Sequence, residues 1–285
     1  MRHSGWLKLY RNSKSFNNAQ YEQDIYQQFN IGTVQMDSVQ LRSFEPGLKE
    51  IYAQGILIND ALSVASPGAL VQAYAAEFKR RGGEFKQLKI SHIQKRPSGW
   101  MVASQSAAEN TSPIYCQQLV VAAGPWSKQL ISQLKMRLPM LFERGGHREY
   151  VSAGAQALSV PIHDIDGSFV ASPIANGLRI SCGVELNSRS AGHSNTQLDL
   201  VEHSARQALN FADSASSQWQ GARPTMPDSM PLIGATKQPG LWLNTGHQHI
   251  GFSTGPASAE LLANLMVGDN HDLTTNCFAP SRFNL

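Results

Sequence analysis

Gly221-Ala-Arg-Pro-Thr-Met-Pro-Asp-Ser-Met-Pro-Leu-Ile-Gly234, followed by Leu241-Trp-Leu-Asn-Thr-Gly-His-Gln-His-Ile-Gly-Phe-Ser-Thr-Gly-Pro256, is the stretch whose reading decides the fold. It predicts an arginine-bearing loop, a strand, a glycine-rich turn and a helix start. Pro231-Leu-Ile-Gly234 and Leu241 to Asn244 are short apolar runs bounded by glycine and proline, the pattern of buried strands. Gly246, Gly251 and Gly255 let the backbone pass close to something flat or charged. Ser253 or Thr254 is expected to cap the following helix, with Pro256 in its first turn. Leu261, Leu262, Leu265 and Met266 supply its apolar face and Gly268 ends it. Unpaired N–H groups at such a helix start attract negative charge.

Outward from this stretch, Gly5 to Tyr10 alternates as a strand, and a helix is expected from Asn18 to Phe29 with Tyr21, Ile25 and Phe29 on one face. As the first element of this sequence, that strand has no preceding residues to pair with. Asp37 or Ser38 caps a short helical turn. Ile56 to Ile58 reads as a strand and Ser66-Pro67 as a helix start, with Leu70, Val71, Tyr74 and Phe78 on its apolar face and Gly82-Gly83 stopping it. Phe85 to Ile93 and Trp100 to Ser104 form a hairpin around Pro97-Ser98-Gly99. Leu119-Val-Val-Ala-Ala-Gly124 is a continuous apolar run, the mark of a strand buried on both faces, and Pro125 opens a helix after it. Ser168 to Ser172 and Leu178 to Leu186 alternate around Ala175-Asn176-Gly177, a hairpin signal. A helix from Thr196 to Phe211 turns Leu198, Val201, Ala205 and Leu209 inward, and a polar, aperiodic tail begins near His271.

At 285 residues and 41% apolar, the chain is long enough for one large domain or two smaller ones. A net charge of +3 without an arginine-lysine stripe argues against a nucleic-acid partner. Cys116, Cys182 and Cys277 form no C-x-x-C and no disulfide framework, which fits a reducing compartment. The first residues lack the apolar core of a signal peptide, and no run is long enough to span a bilayer. The expected location is cytoplasmic, with contact at the periphery of the inner membrane left open.

The pattern G-x-R-P-x-x-P-D-x-x-P-x-I-G, with the glycine- and histidine-containing turn after it, resembles the C-terminal part of D-amino-acid dehydrogenases of the glycine/D-amino-acid oxidase (DAO-type) flavoprotein family. The resemblance extends over essentially the whole chain. It implies an α/β (α+β) fold, an incomplete FAD/NAD(P)-binding Rossmann-like domain plus an antiparallel-sheet substrate domain. Residues 1–59 would belong to the substrate domain, 60–130 to the FAD domain, 131–220 to the antiparallel substrate domain, 221–268 to the FAD domain again, and 269–285 to the tail. The G-x-G-x-x-G that opens the family's flavin-binding βαβ unit occurs nowhere in this sequence.

The resemblance also nominates site residues. Arg223 matches the family's carboxylate-binding arginine, since a guanidinium grips a carboxylate with two parallel hydrogen bonds; a structural pair with Asp228 is the alternative. Arg144, His147 and His249 are further substrate-binding candidates. Glu143-Arg144-Gly145-Gly146-His147 resembles the family's E-R-G-Y-H but carries Gly146 where the family has tyrosine, which is expected to enlarge the pocket. Ala123, Gly124, Gly246, His247, Gly251 and Thr254 are the cofactor-binding candidates, facing FAD. No metal site is expected, because the histidine pair lacks companion ligands. Arg179 and Glu185 read as a cross-strand charge pair.

The implied reaction is oxidative deamination of a D-amino acid to a 2-oxo acid and ammonia by hydride transfer to flavin, with a quinone or respiratory carrier as electron acceptor. Against it stands the absent fingerprint, from which the isolated chain is expected to bind FAD weakly or not at all. Three readings of that absence are open: a truncated product, half of a split enzyme whose partner chain carries the dinucleotide-binding unit, and a non-catalytic subunit.

Overall fold

A computed structural model describes residues 2–104, 112–151, 158–175, 177–192, 194–269 and 277–285. The chain divides into two compact units. The first comprises 1–85, 145–185 and 192–221, the second 86–144, 186–191 and 222–285. The expected boundaries at 59/60, 130/131 and 268/269 have no counterpart in this division; that at 220/221 lies one residue from an observed one.

The first unit is built on a large mixed sheet. Its order is Glu185–Leu186, Leu141–Val151, Gly177–Ser181, Phe169–Ile174, Ile162–Asp164, Trp6–Tyr10, Gln54–Ile58 and Thr33–Asp37, with Ser217–Thr225 also paired to Leu141–Val151. Trp6–Tyr10 is central in the sheet. It runs antiparallel to Gln54–Ile58 and parallel to Ile162–Asp164, so residues far downstream supply its neighbours. This is why Lys8 is buried along with Leu7 and Leu9. Helix Thr196–Ala208 buries Leu198, Val201 and Ala205 as expected, and joins Leu9, Tyr150, Phe169 and Ile180 in one core.

The Phe169–Ile174 and Gly177–Ser181 strands form the expected hairpin, with Ile174 opposite Gly177; Asn176 lies outside the described residues. The second strand stops at Ser181, short of the expected Leu186, and Val184 is exposed. Arg179 pairs with Glu149, directly across the ladder at 2.5 Å, and not with Glu185. Register decides this, because the neighbouring strand Leu141–Val151 presents Glu149 opposite Arg179.

Asp37 caps helix Ser38–Phe44 with a full capping box. Its Oδ1 accepts from Val39 N and Gln40 N, while Gln40 Oε1 accepts from Asp37 N. The helix expected over 18–29 is present as Gln20–Gln28, preceded by a short helix Ser13–Asn18, but its Tyr21 and Phe29 face solvent. Helix Pro67–Arg80 starts at the expected Ser66 cap. None of its residues is buried, and Val71, Tyr74 and Phe78 are 58%, 57% and 53% exposed.

The second unit holds two three-stranded sheets. In one, Ile90–Arg96, Gly99–Ser104 and Ile114–Cys116 are antiparallel; in the other, Leu232–Ala235 pairs antiparallel to Leu241–Thr245, which pairs parallel to Leu119–Val121. Trp100, Val121, Ile131, Leu232, Leu241 and Leu243 form its core. The Leu119 strand is covered on one face only, since Val120 remains 37% exposed while Val121 is buried. Helix Gly251–Val267 ends as expected on Gly268, whose φ of 81° is the left-handed conformation of a glycine cap. Residues 270–276 of the expected tail lie outside the described residues, but its end is docked. Leu285 joins the core, and Arg282 binds Asp228 and the carbonyls of Met230 and Pro231.

Candidate functional site

The parallel pairing of Leu119–Val121 with Leu241–Thr245 brings the ends of two strands together, each running into a glycine turn. Thr245 Oγ1 donates to the Gly124 carbonyl at 3.2 Å and ties the two turns to each other. Gly246 has φ of 85°, and a Cβ there would lie 2.7 Å from Met226, so only glycine serves both the turn and the packing.

The arginine-bearing segment is a strand end rather than a loop. Ser217–Thr225 carries Arg223, Gln248 N donates to the Pro224 carbonyl at 2.9 Å, and Thr225 bridges His247. The turn thus brings Gly124, Gly246, His247 and the Arg223 backbone into one neighbourhood. His249, on the same turn, reaches back to Glu143, with Nδ1 4.0 Å from Oε2.

The Arg223 side chain is half-buried and makes no hydrogen bond or ion pair with any described residue. The alternative pair with Asp228 does not form, because Arg282 takes that carboxylate at 2.7 Å and holds it below the usual aspartate range. A partly buried guanidinium without a counter-ion is a standing demand for an anion.

Burial holds His247 below the ordinary histidine value, so its imidazole is neutral near pH 7. Its Nε2 lies 3.1 Å from Ser258 Oγ, and that hydroxyl donates its own proton to the Thr254 carbonyl. The hydroxyl is therefore an acceptor toward the ring, which places the imidazole proton on Nε2 and leaves Nδ1 with a free lone pair.

The helix expected to start at Ser253 or Thr254 starts at Gly251. Ile250 is its N-cap without a side-chain cap, and the Ser253 and Thr254 hydroxyls turn back to the Ile250 carbonyl. Pro256 lies inside the helix rather than in its first turn. The turn at 247–250 already winds helically, with Ile250 N bonded to the His247 carbonyl, which moves the start upstream.

The remaining candidates are placed differently. Arg144 is buried and donates from Nη1 to the Ala191 carbonyl at 2.9 Å. His147 belongs to the first unit. It stacks on Trp219 with ring centroids 5.6 Å apart, and burial holds it neutral with help from the nearby Arg179. Gly146 opens no pocket. A Cβ there would lie 2.7 Å from the Trp219 carbonyl and 2.8 Å from Gln220 Cγ, so the side-chain space is already filled by the neighbouring strand.

A cavity of about 350 Å³ in the first unit is lined by Arg11, Leu41, Arg42, Lys49 and Tyr52 and contains none of these candidates. Its cations are committed to Asp164, Glu50 and the Arg206 carbonyl. Among the described residues, no cluster of three or more His, Cys, Asp or Glu is placed to hold a metal, and no helix is long and apolar enough to cross a membrane.

Sequence reasoning gave no role to three buried atoms of the second unit that lack a hydrogen-bond partner among the described residues: Glu143 Oε2, Ser127 Oγ and Asn244 Oδ1. Their types are ordinary, and only burial without a partner marks them.

These features define a mixed α/β protein in which two strand ends, a helix start and an arginine side chain without a partner among the described residues lie around one glycine turn. Comparison with known proteins gives its family. The chain belongs to the DAO family, FAD dependent oxidoreductase, which matches residues 1–265. It is 27% identical over 261 residues to a D-amino-acid oxidase of Bradyrhizobium diazoefficiens, covering 89% of this chain and 60% of that protein. It is 27% identical over 288 residues to a D-amino acid dehydrogenase of Paramagnetospirillum magneticum, covering 98% and 67%. The glycine oxidase structure from Geobacillus kaustophilus superposes with a TM-score of 0.84 at 17% identity, covering 98% of this chain and 74% of that one, a likeness of fold. This chain thus spans about three fifths of the length of the D-amino-acid oxidase it matches.

FAD is the cofactor of this family, and the second unit fits part of it. Gly124, at φ 52°, and Gly255 have no described atom within 4 Å of the Cβ a side chain would add, so the backbone is open there. Ser127 Oγ and Asn244 Oδ1 are buried and unpartnered, and the start of helix Gly251–Val267 offers N–H groups without a side-chain cap. The helix N–H groups and the Ser127 hydroxyl can donate to the ring edge where negative charge develops on reduction, whereas Asn244 Oδ1 can only accept, from a ring N–H. The glycine fingerprint that cradles a pyrophosphate is not in this sequence.

Proposed function

We propose that this chain supplies the substrate-binding and ring-facing part of a flavin-dependent oxidation of D-amino acids to 2-oxo acids and ammonia. The observation that carries the reading is Arg223, a half-buried guanidinium with no described partner, held beside the turn by the Pro224–Gln248 hydrogen bond. It would grip the substrate carboxylate through two parallel hydrogen bonds and so fix the direction of the Cα–H bond. Ala123, Gly124, Gly246, Gly251 and Thr254, with Asn244 and Ser127, would hold the flavin ring. FAD, when bound, supplies the two-electron acceptor, which a quinone or respiratory carrier would reoxidise. His247, neutral and anchored on Ser258, keeps the turn in place without adding charge to the site.

A second reading is favoured by the uncovered face of helix Pro67–Arg80. Catalysis would then require a partner chain that brings the dinucleotide-binding unit and covers Val71, Tyr74 and Phe78.

The test is the visible spectrum of the purified chain with added FAD, followed by anaerobic D-alanine. Retained flavin that D-alanine bleaches and L-alanine does not supports the first reading. Arg223→Gln should then weaken D-alanine binding by about 10- to 150-fold, the worth of roughly 1.5–3 kcal/mol for hydrogen bonds to a charged group. A colourless chain supports the second reading. Retained flavin that no D-amino acid bleaches sinks the activity.

A further inference from the structure

We infer that Glu143 is the acceptor for the substrate's α-ammonium group, the counterpart of Arg223 at the carboxylate. This rests on the amino-acid reading above and deepens it. Oε2 of Glu143 is buried and receives no hydrogen bond from any described residue. The nitrogen recorded closest to it among the described residues, His249 Nδ1, stands at 4.0 Å, beyond hydrogen-bond reach, on a side chain that is itself 60% exposed. Arg144, next in sequence, directs Nη1 to the Ala191 carbonyl. A carboxylate oxygen withdrawn from water without a donor is costly to hold, and a ligand donor that carries positive charge relieves it best. A neutral N–H would satisfy the lone pair and leave the charge.

The placement fits a zwitterion. The Gly246–Ile250 turn is bonded to the Arg223 strand through Gln248 N and the Pro224 carbonyl, and His249, the neighbour of Gln248 in the same turn, lies close to Glu143. An α-amino acid carries its two opposite charges on groups bonded to a single carbon, so a guanidinium and a carboxylate brought to the same turn suit it. A 2-hydroxy acid or a simple carboxylic acid would satisfy Arg223 alone. Glu143 would therefore set the preference for amines over hydroxy acids.

The test is calorimetric titration of the full chain, in the presence of FAD, with D-alanine, D-lactate and propionate. The expected result is a preference for D-alanine over D-lactate and propionate of about tenfold or more, the scale of one charge-assisted hydrogen bond. Glu143→Gln, which keeps the shape, should bring the three ligands within about twofold of one another by loss of D-alanine affinity alone. Arg223→Gln should weaken all three.

Equal binding of the three by the wild-type chain, or an undiminished preference in Glu143→Gln, overturns the role of Glu143 while leaving the carboxylate site standing. If none of the three binds, or if Arg223→Gln binds them all as well as the wild type does, the carboxylate site falls and the assignment of Glu143 with it. The wild-type ligand series needs no variant, so a misfolded Glu143→Gln would not spare the idea.

Discussion

Replacing Gly146 by alanine tests whether the strand pairing beside the Glu143–His147 motif is as tight as the structure makes it. Gly146 is buried, and its φ lies outside the left-handed region, so the backbone itself accepts alanine. On that ground alone the change should stabilise by about 0.4–1 kcal/mol, because the unfolded chain loses freedom. The added methyl, however, would sit 2.7 Å from the Trp219 carbonyl oxygen, 2.8 Å from Gln220 Cγ and 3.4 Å from Leu198 Cδ1. Gln220 can swing its side chain away. The Trp219 carbonyl cannot move without spreading two paired strands, and overpacking of this kind costs about 1–3 kcal/mol. The terms combine to a net loss of roughly 0–2.6 kcal/mol, with the backbone clash placing it in the upper part of that range. Urea denaturation read by tryptophan fluorescence gives the midpoint shift, and an unchanged slope would confirm that stability and not compactness had changed. Gly68→Ala, where nothing lies within 4 Å of the new Cβ, is the control that should be neutral or stabilising. A Gly146→Ala chain more stable than wild type would refute the packing argument and restore the expectation of a pocket at this position.

Stability should also fall as the solution is acidified from about pH 7.5 to 5.5. Burial holds His163, His147 and His247 below the ordinary histidine value, so the unfolded chain takes up their protons first. The stabilisation is present above about pH 6.5 and is lost as pH falls through the folded values. His163→Gln should flatten part of that slope in urea midpoints taken across the range, and an unchanged slope would count against the burial argument. Asp164→Ala should be far more damaging than a surface change. Asp164 is fully buried and accepts from Arg11 Nε and Nη2, Tyr52 OH and Gly167 N. Its loss strands a charge and should cost about 3–5 kcal/mol by chemical denaturation, with a cost below about 1 kcal/mol contradicting the network.

Much of the local architecture could be read from residue order. Asp37 and Ser66 cap the helices they were expected to cap, Gly268 terminates the last one, and the Leu232–Ala235 and Leu241–Thr245 strands sit where glycine and proline bound them. The helix expected at 18–29 forms as Gln20–Gln28, but the inward face that the periodicity of Tyr21, Ile25 and Phe29 suggests does not, and only packing shows that Tyr21 and Phe29 have nothing to cover them. Asp228 was a reasonable partner for Arg223 by proximity in sequence, but Arg282, more than fifty residues on, competes for it and wins at 2.7 Å. The end of the tail is aperiodic, and what docks Leu285 is a core assembled from remote segments.

The sequence by itself determined the class of the protein. A specific run of glycine, proline and arginine, followed by a strand, a turn and a helix, requires local backbone chemistry that residue identity encodes directly. Only the tertiary structure decided which charges are spent and which are left over. Whether Arg223 is free, whether Glu143 is short of a donor and whether Gly146 opens or closes a space depend on what remote segments bring beside them. Burial and pairing are properties of the assembled chain, so no local pattern could have shown them.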